Sequence, residues 1–327
     1  MRKYYTIILL SLGLFFLSNC LQTNNNNNSK NISFYIWNNQ INISHDQKNY
    51  LDSLKTRCIY IKLVEFKKDE IIRSKVINVY DSCFSIIPVV RLDNYFLANT
   101  NYTNAEKCEQ LFQEVQQQIN SFSKKKIITI QLDCDYQSSN LQAYQNIVSS
   151  LKNNYHLKVQ ITLNVYRTAD VLNIPKADEY FIMLYDFYNA SKIDIHNFEF
   201  LEKFKNHLHS FPNKHQYVIP IFSRWVVYEN GKAQLEYQFK EDQIKNNSDI
   251  VYTGNGSYLV TKQLLIDNQL IKKGAIIVYQ ETTLDDLKKY TLFIKELSPQ
   301  QSNQLVLFSF NNKIPVKFSV NTLLELK

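Results

Sequence analysis

The chain has 327 residues, 45% of them apolar, and a formal charge of +7, which allows one large domain or two small ones with a full core. Its 5 glycines fall far below the average usage of about 7%. No GxGxxG or GxxxxGK[ST] loop is present to cradle phosphates, so a nucleotide is not an expected ligand. No HExxH, CxxC or comparable ligand spacing occurs either, and no metal or cofactor is expected.

In chain order, "MRKYYTIILLSLGLFFLSNC" has a basic start and an apolar run from Tyr4 to Leu17. That run has the length of a signal-peptide core and is short for a membrane span. It ends at Leu17-Ser18-Asn19-Cys20, which resembles a bacterial lipoprotein signal with Cys20 as the lipidated residue; Asn19 departs from the usual small residue before the Cys. The expected division is a signal peptide over 1–19, an Asn-rich tether over 20–31 and a globular domain over 32–327. The tether lacks the apolar residues needed to pack. The expected location is the cell envelope, with the domain outside the cytoplasm, held to a membrane (the outer one is favoured) through the lipid. Ordinary secretion is the alternative. Cys58, Cys83, Cys108 and Cys134 could pair in that compartment, in a connectivity that sequence does not give; Cys134 reads as a free buried thiol.

Eight apolar segments alternate with helical ones. The strands are expected at Ile32–Trp37, Cys58–Phe66, Ser85–Phe96, Ile127–Gln137, 157–166, Glu179–Tyr188, 216–225 and Gln304–Asn312. Between them lie stretches with apolar residues at helical spacing, such as Leu111, Val115 and Ile119. His207 and His209 stand two apart in one of these stretches and diverge. Lys124–Lys126 reads as a solvated turn, "TGNGS" (Thr253–Ser257) as a tight turn, and the region from about 226 to 280 as a small β-rich insertion between strands seven and eight. Lysines and arginines look scattered, so nucleic acid is not an expected partner. Near-continuously apolar strands alternating with helices predict an α/β fold, a (β/α)₈ TIM barrel; an open doubly wound sheet is the runner-up. In such a barrel the active face lies at the C-terminal ends of the strands. Glu65, Arg91, Asp93, Asp133, Asp135, Asn164, Asp186 and Arg224 fall at those ends.

The fourth segment, "IQLDCDYQ", alternates faces so that Gln131, Asp133, Asp135 and, at the end, Gln137 share one side. It is similar to the DGxDxDxE signature of family-18 glycosidases, the chitinase-like barrels. "IMLYDFY" on the sixth strand resembles that family's Met-x-Tyr-Asp segment. The resemblance implies that Asp133 and Asp135 are the acids preceding the catalytic Glu, and that Met183, Tyr185 and Asp186 hold the substrate. It covers about 20 residues on two strands. Gln137 stands where the family has its Glu, and an amide cannot donate the proton. Over most of its length the chain also resembles uncharacterised barrel-type lipoproteins of Bacteroidota, which implies an architecture and a location but no reaction.

Three readings follow. In the first, a glycoside hydrolase uses Asp135 as the acid, with Asp133 deeper to orient and polarise it. Asp186 is the second carboxylate and Tyr185 a hydrogen-bond donor. In the second, the same groove grips a glycan or polysaccharide without cleaving it, through Asp133, Asp135, Tyr185 and stacking aromatics, with Tyr188, Trp225 and Tyr228 as rim aromatics; in either of these readings Gln137, Met183, Arg91, Arg224 and Trp225 are the expected substrate-binding residues. In the third, the Asp pair is a structural plug with Arg91 or Arg224, and the lipoprotein is a scaffold.

Overall fold

The computed structural model describes residues 31–79, 84–185, 187–189, 192–212, 214–237, 239–298 and 304–326. Cys20, Cys83, Asp186 and the side chain of Tyr188 lie outside the described residues. The barrel strands are β1 (Asn31–Ile36), β2 (Cys58–Phe66), β3 (Ser85–Leu92), β4 (Thr129–Asp133), β5 (Lys158–Asn164), β6 (Glu179–Met183), β7 (His215–Pro220) and β8 (Gln304–Phe308). Each pairs in parallel with the next. The pairing of β1 with β8 closes the ring into the predicted (β/α)₈ barrel.

Around it run α1 (His45–Ser53), α2 (Asn104–Asn120), α3 (Leu141–Asn153), α4 (Phe198–His209) and α5 (Leu284–Leu297). The sequence starts α2 with a capping box: Glu106 N–H donates to Thr103 Oγ1 at 3.2 Å, and Thr103 N–H donates to Glu106 Oε2 at 2.7 Å. Cys108, Leu111, Val115 and Ile119 then recur on its buried face. They pack with outward-facing strand residues such as Ile59, Val90, Leu132 and Ile161 in one continuous core. Each such side chain, fully buried, stabilises the fold by roughly 1.5–3 kcal/mol.

Inward-facing residues alternate with these and form three layers. The middle layer is an aromatic and aliphatic plug of Tyr35, Tyr60, Val89, Phe181, Val218 and Val306. Tyr35 stacks on Tyr60 at 4.8 Å between ring centroids, and Tyr60 meets Phe181 edge-on at 5.0 Å. Tyr35 Oη donates to Gln131 Oε1 across the barrel at 2.6 Å. Below the plug, at the strand starts, the inward residues are polar: Ser33, Gln160, Glu179, Gln216 and Gln304. Above it lies the mouth. Cavities of about 790 Å³ and about 970 Å³ occupy the two ends.

The insertion is an antiparallel sheet in the order Lys232–Tyr237, Ser223–Glu229, Ile276–Glu281, Ser257–Val260, Ile250–Gly254. It has its own core, centred on Trp225, Val227, Tyr258, Val260 and Ile277. It begins earlier than the expected residue 226. β7 ends at Pro220, whose missing N–H cannot continue the ladder. Arg224 and Trp225 therefore stand on the first strand of the insertion and not on the seventh barrel strand. The expected turn at Thr253–Ser257 is a hairpin with Asn255 and Gly256 both at positive φ. The fourth strand is shorter than expected, and Ile128, inside the expected range, is 71% exposed because it precedes the ladder at the base of the barrel.

Candidate functional site

A belt of alternating charge crosses three adjacent strands at the mouth. A bulge in β2 between Lys62 and Val64 shifts the alternation by one residue. Lys62 and Glu65, three apart, can thus share a face, and Lys62 Nζ donates to Glu65 Oε2 at 3.1 Å. Arg91 lies opposite Glu65 in register, with Nε 3.8 Å from Glu65 Oε1. Arg91 in turn lies opposite Asp133, and its Nη1 donates to Asp133 Oδ2 at 3.2 Å. Thr162 on β5 donates to the other oxygen, Asp133 Oδ1, at 2.5 Å. Both oxygens of Asp133 are therefore engaged. Burial pushes its carboxyl up; Arg91 pulls it back, and Asp135 and Glu65 push with the burial.

Asp135 follows the end of β4 and stands nearer the opening. Asn164 Nδ2, at the end of β5, donates to its Oδ1 at 2.6 Å. Asn94 Nδ2 donates to its backbone carbonyl at 2.8 Å and fixes the chain there. Asp135 lines the cavity, and its Oδ2 carries no bond within the described residues. Asp93, expected among the mouth acids, instead caps a short helix, Asn94–Ala98, by accepting from Phe96 N–H at 2.7 Å.

The rest of the mouth is aromatic. Tyr185 stacks on Phe308 at 5.3 Å with 28° between planes, and Phe222 meets both rings edge-on. The Trp37 ring lies 5.2 Å from the Phe308 ring and 5.6 Å from Lys62 Nζ. Trp225 reaches the cavity from the insertion, held against Tyr279 at 4.7 Å. Lys240 and Lys313 complete the rim.

Among the expected site residues, the fold brings Arg91, Asp133, Asp135, Met183, Tyr185, Arg224 and Trp225 to this one cavity. Arg224 is bound within the insertion, with Nε donating to Gln280 Oε1 at 3.1 Å and its guanidinium 5.6 Å from the Phe222 ring. Gln137 does not join the group. Its backbone N–H donates to Asn94 Oδ1 at 3.1 Å, its side chain is exposed, and it does not line the cavity. The strand alternation that carries Asp133 and Asp135 inward has ended by then, since Ser138–Asn140 begins a 3₁₀ turn. Tyr228 also lies outside the cavity lining. Cys58, Cys108 and Cys134 are free thiols, the last two buried. Among the described residues no cluster of His, Cys, Asp and Glu is placed to hold a metal ion, and no helix is long and apolar enough to cross a membrane.

Sequence reasoning missed Trp37, Thr162, Phe222 and Phe308. Trp37 and Phe308 had a usable signal: Ser33-Tyr35-Trp37 and Gln304-Val306-Phe308 follow the same period of two as Gln131-Asp133-Asp135. Phe222 follows the break at Pro220 and had none.

No protein-family model matches the sequence, and no curated protein matches it. Solved structures do. The spore cortex-lytic enzyme SleL of Bacillus megaterium QM B1551 is similar with a TM-score of 0.55 and 13% identity, over 91% of this chain and 73% of that one. SleL of Bacillus cereus is similar with a TM-score of 0.50 and 12% identity, over 90% and 73%. The immunomodulatory active chitinase TsES1 of Trichuris suis has a TM-score of 0.49 and 14% identity, over 86% and 92%. The likeness to the SleL enzymes is one of fold, a TIM barrel.

Proposed function

We propose that the mouth of the barrel binds a glycan, with Asp135 as its principal polar contact. The observation that carries this reading is the convergence on one cavity of a stacked aromatic floor, Tyr185 on Phe308, and a carboxylate with one oxygen unengaged among the described residues. Sugar rings present C–H faces that pack on aromatic planes and hydroxyls that donate to carboxylates. The family-18-like motifs on β4 and β6 and the fold shared with lytic enzymes support the same reading. Trp37 and Trp225 extend the aromatic surface, while Arg91 holds Asp133 in place behind Asp135.

Hydrolysis is the second reading, and a specific observation favours it: burial pushes the Asp133 carboxyl up directly beside Asp135. Glycosidic bond cleavage requires a proton donor, and in this reading Asp133 holds the proton and Asp135 relays it to the leaving oxygen. In this reading Asp135 meets the leaving oxygen, Asp133 polarises it, and Tyr185 and Asp186 complete the set. Against it stand the two oxygens of Asp133, both already bonded, and Gln137 outside the cavity.

The test is a glycan panel read for bound ligand and released reducing ends in the same wells. Binding without release, weakened at least tenfold by Asp135→Asn, is the expected result. Release that disappears in Asp135→Asn would instead establish hydrolysis. No ligand in either readout would overturn both.

We further infer, from the first twenty residues alone, a lipid at Cys20 and a place in the cell envelope. Cys20→Ser should then move the protein from the membrane to the soluble fraction; unchanged fractionation would refute the anchor.

A further inference from the structure

The base of the barrel carries a second site that the glycan reading does not use. Its cavity of about 790 Å³ is lined by Arg57, by Lys124, Lys125 and Lys126, and by Lys158 and Lys214. These cations look scattered in sequence, but the fold gathers them because strand starts and the loop before β4 meet at one end. The carboxylate among the described lining residues is Glu179, 3% exposed on the floor. It accepts from Lys158 Nζ at 2.7 Å, Gln160 Nε2 at 2.9 Å and Gln216 Nε2 at 2.8 Å, and Lys214 Nζ lies 3.5 Å away. Glu179 is thus saturated, and no carboxylate of the described residues pairs with Arg57, Lys124 or Lys126.

Two further observations define what would fit. Gln160 lines the cavity, is 4% exposed, and its Oε1 has no hydrogen-bond partner among the described residues. A buried amide oxygen in that state calls for a donor from a ligand. One wall is apolar, formed by Phe84, Ile86, Ile119, Phe122 and Ile127. The cations line a cavity of small-molecule size together with apolar side chains, which suits a headgroup better than a nucleic-acid backbone.

We propose that this cavity binds a hydroxylated phosphate ester, the headgroup of an anionic phospholipid. The phosphate meets Arg57, Lys124 and Lys126, whose several donors match its acceptor oxygens. A headgroup hydroxyl donates to Gln160 Oε1, and the first acyl carbons lie along Phe84 and Phe122.

The test uses soluble probes on the full chain, so the anchor does not enter. Calorimetric titrations would compare dioctanoyl phosphatidylglycerol below its micelle concentration, glycerophosphoglycerol, the same diester with methanol in place of the hydroxylated head, and inorganic phosphate. The lipid is expected to bind at least tenfold tighter than glycerophosphoglycerol, and that at least tenfold tighter than the methyl ester and phosphate. Lys124→Glu/Lys126→Glu should cost at least tenfold, and Lys288→Glu/Lys289→Glu, an equal charge change on α5, nothing. Equal affinity for lipid and glycerophosphoglycerol would overturn the lipid assignment in favour of a soluble ester. Equal loss in both double variants, indifference to the headgroup hydroxyls, or no binding would overturn the site.

Discussion

The two ends of this barrel are built by the same strands and differ in how they treat charge. At the mouth, two acids two residues apart stand among aromatic rings, and one of them, Asp133, is half-buried where its charge is costly. At the base, one acid, Glu179, is buried among cations and amides that hold its charge. Burial alone would raise the Glu179 carboxyl, but the hydrogen bonds from Lys158, Gln216 and Gln160 outweigh it and hold it below the usual carboxylate range. Asp133 is pushed the other way. Depth alone therefore does not set a carboxyl's state; the donors around it decide. The mouth thus carries an acid raised by burial, and the base carries surplus positive charge.

The plug keeps the ends apart, and removing it gives the largest expected effect. Tyr60→Ala deletes a ring stacked between Tyr35 and Phe181 and should cost about 3–5 kcal/mol of stability, as for other buried aromatic truncations. Urea unfolding would measure it; a loss under about 1 kcal/mol would mean the plug does not separate the cavities. Next is Glu179→Gln, which breaks charge-assisted bonds at a buried site and should cost about 1.5–3 kcal/mol at neutral pH. Because this carboxyl is held low, its contribution is present above the usual carboxylate value and is lost as pH falls through the lowered one. The cost of Glu179→Gln should therefore shrink in acid, and a cost independent of pH would contradict the account. The smallest effect is at Asp133. Its carboxyl is raised, so the folded chain holds the proton more tightly than the unfolded chain, and stability falls as pH rises from the usual carboxylate value to the raised one. Asp133→Asn should flatten the stability profile in that window. An unchanged slope would show that Asp133 does not titrate there.

Much of the barrel was legible because periodicity reports burial. Cys58–Phe66 has the bounds the sequence suggests, since it is bracketed by turn residues. The acids at the mouth were legible for the same reason: a carboxylate at the end of an apolar strand must reach a polar place. The limits came where alternation changes without a local sign. The bulge that sets Lys62 beside Glu65, the loss of strand pairing before Gln137, and the break at Pro220 that hands Arg224 and Trp225 to the insertion all depend on neighbouring strands. The cationic base was invisible in sequence because its members come from segments up to 157 positions apart, Arg57 to Lys214.

The chain has 2 tryptophans, Trp37 and Trp225, and both line the mouth. Intrinsic tryptophan emission titrated with the glycan panel therefore tests the central claim most directly. The account predicts a saturable change with at least one glycan, weakened at least tenfold in Asp135→Asn and absent with glycerophosphoglycerol. A glycan that binds by calorimetry yet leaves the emission of both tryptophans unchanged would contradict the placement of the glycan site at the barrel mouth.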